Sequence, residues 1–215
     1  TREQLVSLLD SRAGSPAWGV EVLLRATRDD ALAELPVLFG EWERWAADVG
    51  ESHSSYPILI SFRSQEPERS WVVALLAVLD AAALHVTLRP DDDTLAARLC
   101  LRTGYVALRS IADTAGIAVD HDPLPEDPID LSRADFEAGV ELLRAAGYPA
   151  QRDAAAAWPH FHGWRVNYER AAYALADRIV APPAPWSGPR AHLPAQTVLP
   201  DRPLDRHPGE LDAPG

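Results

Sequence analysis

The chain has 215 residues, with 20 basic residues, all arginine, against 32 acids, for a formal charge of −12 at neutral pH. That balance excludes a phosphate-driven nucleic-acid binder or a binder of anionic lipid, since both need a basic surface. A lone cysteine, Cys100, excludes a disulfide framework and a multi-cysteine zinc site, while the length and a 47% hydrophobic content fit one globular domain.

No methionine is present, so Thr1 is expected to follow processing or excision from a longer protein. Thr1–Asp10 is charged at both ends and does not read as a signal peptide. Leu5, Leu8 and Leu9 start a short helix that Gly14 ends. Ser15-Pro16 then predicts an N-cap with proline at the first helical position, and Val20, Leu23 and Leu24 line one face. Asp29 or Asp30 is expected to cap the next helix. Its apolar stripe is Leu32, Leu35, Leu38/Phe39, Trp42, Trp45 and Val49, with Pro36 kinking it or marking its start. Glu41, Arg44 and Asp48 pair at i,i+3 and i,i+4 spacing on the solvated side.

Glu51–Arg69 is less regular. Tyr56-Pro57 favours extended backbone, and Ile58, Leu59, Ile60 and Phe62 predict partial burial. Trp71–Leu88 then reads WVVALLAVLDAAALHVTL. A spanning helix needs about 20 apolar residues, and Asp80 near the centre would cost roughly 2.5–3.5 kcal/mol on insertion. A helix apolar on nearly every side is also what the middle of a bundle requires, and that reading is preferred. Asp91–Asp93 suits the N-terminus of a long helix marked by Leu95, Leu99, Tyr105, Leu108 and Ile111, with Gly116 just past its end. Pro123, Pro125 and Pro128 make a connecting loop. Ser132 with Asp135 forms a capping-box-like pair, and Leu131 with Phe136 a hydrophobic staple. A last helical region over roughly 151–180 is expected to break around Pro159. The expectation is all-α: a single irregular helical bundle of about six or seven helices over 1–180, with a flexible proline-rich tail at 181–215.

Catalytic motifs are scarce. There is no G-x-S-x-G, no phosphate-cradling glycine loop, no H-E-x-x-H and no dinucleotide fingerprint. The best acid–base or metal candidates are Glu51 and His53 with Asp80 and His85. Asp80 and His85 are separated by about 500° of helical rotation, so they do not chelate one ion easily. Asp80 is better read as a buried carboxylate bonded to an arginine. His160 and His162 flank Phe161 in what reads as a turn, and two imidazoles seldom hold a metal without a third ligand. No catalytic, cofactor-binding or metal-binding residue is therefore assigned. Arg63, Arg69, Arg98, Arg102 and Arg109 are expected to pair with acids.

One segment carries more. Glu51-Ser52-His53-Ser54-Ser55-Tyr56-Pro57-Ile58-Leu59, running on through Phe62-Arg63-Ser64-Gln65 to Ser70-Trp71 and Leu75, resembles a segment of bacterial two-transmembrane potassium-channel-like membrane proteins. There it follows a two-helix pore and belongs to a cytosolic helical domain. The resemblance covers about 30 residues; no T-V-G-Y-G-like filter is present here. It implies a non-enzymatic assembly or regulatory domain at the cytoplasmic face of the plasma membrane, without cofactor. It further implies a homo-oligomer through the parent protein, with no nucleic-acid partner and no membrane insertion by this piece. An acidic domain beneath a pore would raise the local cation concentration. The positions singled out are Glu51, His53, Tyr56, Pro57, Arg63, Trp71, Asp80 and His85. The alternatives are a helical interaction domain without a channel role, and a metal-dependent or acid–base enzyme built in the bundle.

Overall fold

The computed structural model describes residues 2–55, 69–191 and 199–200. The described residues form eight α-helices and no strand: α1 (Arg2–Ala13), α2 (Gly19–Arg28), α3 (Leu35–Ser55), α4 (Trp71–Leu88), α5 (Leu95–Thr114), α6 (Arg133–Ala145), α7 (Ala154–Arg165) and α8 (Glu169–Arg178). The chain is all-α, with one helix more than the upper expectation because the 151–180 region is two helices.

α4 is the axis of the bundle. Every residue from Val72 to Leu88 is buried, and α1, α2, α3, α5, α7 and α8 all pack on it. Five alanines between Ala74 and Ala83 keep it thin, so neighbours approach closely. A Cβ added at Gly19 of α2 would lie 2.6 Å from Asp80 Cβ and 2.8 Å from the Ala77 carbonyl oxygen. One added at Gly104 of α5 would lie 2.4 Å from Leu79 Cδ2. The absence of side chains at these two crossings sets the interhelical spacing. α3 and α5 lie side by side and run in the same direction: Gly50 faces Ala107, and Glu43 is close enough to Cys100 to act on its thiol. The Cys100 thiol is pushed up by burial and then by Glu43, which keeps it protonated and inert.

Several local expectations shift. The helix after Gly14 starts at Gly19 with Trp18 as N-cap, so Ser15-Pro16 lies in the connection before it. Asp29 closes α2 as its C-cap, and Asp30 adopts φ 52; α3 is instead entered through a 3-10 turn, Leu32–Glu34. Pro36 stands in the first turn of α3, where a missing N–H is harmless. Pro159 does not break the last region, because α7 runs through it to Arg165. The break falls at Val166–Tyr168, where the Asn167 side-chain amide donates to the Gly163 carbonyl and competes with continued helix. His160–Gly163 are accordingly helical, and His162 Nδ1 meets the Pro125 carbonyl at 2.8 Å. The Ser132 cap is present: its Oγ accepts from the Asp135 backbone N–H at 3.1 Å and donates to the Asp135 carboxylate at 2.6 Å.

The boundary at 180 also moves. Residues 181–191 fold back onto the bundle, with Ala181, Ser187 and Arg190 buried. Arg190 organises this strap from inside, donating to the carbonyls of Ala181 (2.8 Å), Pro182 (3.0 Å) and Ser187 (2.7 Å). Most of the remaining tail lies outside the described residues.

Candidate functional site

The most unusual chemistry lies at the middle of α4, where Asp80 is fully buried. Arg165, the last residue of α7 and also fully buried, donates Nη1 to Asp80 Oδ1 at 2.5 Å and Nε to Glu169 Oε2 at 2.6 Å. Its Nη2 donates to the Tyr173 hydroxyl and to the Trp186 carbonyl, each at 2.7 Å. Tyr168 donates its hydroxyl to Asp80 Oδ1 at 2.9 Å. Glu169 in turn accepts from the backbone N–H groups of Asp130 and Leu131, which fastens the proline-rich loop to α8. The guanidinium is ringed by Phe161, Tyr173 and Trp186, each ring centroid within 6.0 Å. Five parts of the chain meet here: α4, α7, α8, the loop before α6 and the strap.

Two carboxylates share one guanidinium, so the fully ionised cluster carries an uncompensated negative charge in a low-dielectric interior. Burial raises the Asp80 carboxyl to about 6, against the lowering pull of Arg165 and its hydrogen bonds. The same neighbours, Asp80 first, hold Arg165 charged despite its burial. Tyr168 and Tyr173 are pushed up by burial and stay protonated donors. The guanidinium directs its three nitrogens at protein acceptors, and the strap seals the cluster. Such an arrangement fixes helices relative to one another and presents no reactive atom to a substrate.

A second buried polar contact lies at the C-terminal end of α4. His85 Nδ1 and the Tyr148 hydroxyl are 2.9 Å apart, and the His85 ring lies 6.0 Å from that of Phe39. Burial, helped by Arg89, lowers His85 to about 4, so the ring is neutral at physiological pH. Arg109 is likewise structural: it donates to the Asn167 carbonyl, the His121 carbonyl and Asn167 Oδ1, and lies over the Tyr105 ring at 4.7 Å. Surface cavities among the described residues lie elsewhere. One of about 300 Å³ is lined by residues including Arg12, Arg25, Asp29 and Glu34, and one of about 200 Å³ lies beside Arg109 and Arg170. Neither reaches Asp80.

The positions singled out in the sequence separate. Asp80 and His85 project to different neighbours, as their spacing requires. Trp71 opens α4 and stacks obliquely on Trp45 with centroids 6.4 Å apart. Glu51 is exposed near the end of α3. His53 is a residue of α3, but its side chain lies outside the described part, as do Tyr56, Pro57 and Arg63 altogether. Among the described residues no three His, Cys, Asp or Glu side chains converge on one point. Arg165, Glu169, Tyr168, Tyr173 and Trp186 were not anticipated. The signal was present: Arg165 occupies an i,i+4 position within the buried series Phe161, Tyr168, Ala172 and Leu175, where an arginine must find acids. Compared with known proteins, the chain matches no protein-family model, no curated protein and no solved structure.

Proposed function

We propose that this chain is a non-enzymatic assembly or regulatory domain, carried on the cytoplasmic side of a potassium-channel-like membrane protein. The sequence segment Glu51–Leu75 carries the channel part of this reading. The observation that supports the structural role is the Asp80–Arg165–Glu169 network, whose charged groups bind helices and strap instead of facing a cavity. The most apolar helix, α4, is spent on the interior of the bundle, which leaves an acidic exterior suited to water beneath a pore. Homo-oligomerisation follows from this reading, because pores of that type assemble from several copies.

The coding sequence upstream of Thr1 tests it. Two membrane-spanning segments flanking a filter-like glycine motif are expected. Their absence would leave the second reading, a helical interaction domain without a channel role, which the exposed apolar ridge on α5 favours.

A further inference from the structure

α3 and α5 turn their solvent sides toward the same face of the bundle, and the two sides differ in character. α5 exposes Leu95 (59%), Leu99 (37%) and Val106 (57%) at i, i+4 and i+11, one helical ridge, flanked by exposed Arg98 and Arg102. No acid of α5 lies between Leu95 and Val106. α3 exposes Val37 (57%) with Glu41, Arg44, Ala47, Asp48 and Glu51. In a chain of net charge −12, a ridge that is apolar and basic stands out, and its complement is on the helix beside it.

We infer that this two-helix face binds a second copy of the same chain, the α5 ridge of each protomer lying on the α3 ridge of the other. The arrangement is self-complementary. A two-fold axis parallel to the helices lays α3 on the partner's α5, keeps all four helices parallel, and sets each residue opposite its own level. Gly50 with Ala107 and Glu43 with Cys100 fix an offset of 57 positions between the helices, and the same offset relates Glu41 to Arg98. Helical spacing puts Glu41 on the edge of α3 away from α5, and Arg98 on the edge of α5 away from α3. The two are therefore apart within one protomer and opposed across the axis, twice per dimer. Leu95, Leu99 and Val106 form an apolar strip on α5, Val37 stands level with its start on α3, and Glu41 and Arg98 lie at the edges, with Arg44 and Glu51 between Glu41 and the α5 side of the face. Helices of 21 and 20 residues give a face about 30 Å long and about 20 Å wide. That is on the scale of the roughly 800 Å² per partner that a specific dimer buries. The inference deepens the assembly role proposed above and rests on it.

Sedimentation equilibrium of the 215-residue chain tests the face. The native chain should dimerise, more weakly at high salt. Glu41→Arg and Arg98→Glu should each weaken the dimer by about tenfold or more, while an equimolar mixture of the two should recover it to within about threefold, because both contacts are then attractive. Val106→Asp should give monomer, with the melting temperature of the native chain when both are compared by circular dichroism at a concentration low enough to dissociate the native dimer. A native chain monomeric at about 0.1 mM, or a mixture no tighter than its components, would overturn the proposal. A monomeric chain with membrane segments encoded upstream removes this face and leaves the channel reading standing; a dimer with none upstream does the reverse.

Discussion

Arg165 is the residue on which the interior depends. It ties Asp80 of α4, Glu169 of α8 and the Trp186 carbonyl of the strap from a single side chain. Replacing it with leucine strands two buried carboxylates without a cation, and the expected loss is about 3–5 kcal/mol in a urea titration. Asp80→Asn keeps the shape and leaves Arg165 balanced by Glu169, so its cost should be much smaller. A comparable loss in both variants would contradict this division.

Asp80 and His85 also make opposite contributions to pH dependence. Asp80 is raised from 3.8 to about 6 by burial, so the folded state takes up a proton that the unfolded chain does not. Through this group stability grows as pH falls from about 6 to about 4, by roughly 3 kcal/mol, and is lost again as pH rises. His85 is lowered from 6.5 to about 4, so the unfolded chain protonates first and stability falls over nearly the same window, by a similar amount. The two offset each other in the native chain. Denaturation midpoints at pH 6.5 and 4.5 should separate them: His85→Gln should lose less stability on acidification than the native chain, and Asp80→Asn more. Parallel profiles for the two variants would rule the pairing out.

At the scale of elements, the strap does for the ion cluster what a helix would do elsewhere. Trp186 sits at φ 60, a left-handed conformation that a tryptophan rarely holds without compensation. The compensation is local: its carbonyl takes two donors, from Arg165 and Tyr173, and its ring meets Trp18 edge-on at 5.8 Å and Phe161 at 5.9 Å. The ring lies over Gly139 of α6, where an added Cβ would be 2.6 Å from Trp186 Cζ2. Trp186→Ala should therefore destabilise the bundle by about 2–3 kcal/mol and speed amide hydrogen exchange in 181–191 and along α7. Gly139→Ala, which pushes on the ring from below, should loosen the same segments and leave α3 and α5 protected. Uniform loosening of the whole chain would argue against the strap as a separate unit.

For the whole molecule, the distribution of apolar and acidic residues sets what the chain can meet. The 18 residues of α4 are long and apolar enough to cross a membrane, yet the bundle encloses them. With −12 net charge outside and α4 inside, the isolated chain should not co-sediment with anionic lipid vesicles at any salt concentration. Binding would mean that α4 leaves the core. The external face best fitted for contact is then the α3–α5 surface.

What the sequence determined alone was local and periodic. Apolar spacing marked the helices, an all-round apolar segment marked the central one, and the Ser132 cap marked a start to the residue. Asp80 could be read as a carboxylate in need of an arginine, because a buried charge is costly unless it is paired. Tertiary structure decided which arginine. Asp80 and Arg165 are 85 positions apart, and nothing in either neighbourhood encodes the other. It also decided that Pro159 stays within a helix and that 181–191 is packed, since packing against α4 and the buried Arg190 outweighs local propensity. Periodicity reports how a segment meets water; which segments meet each other is set by shape and charge that only the assembled bundle brings together.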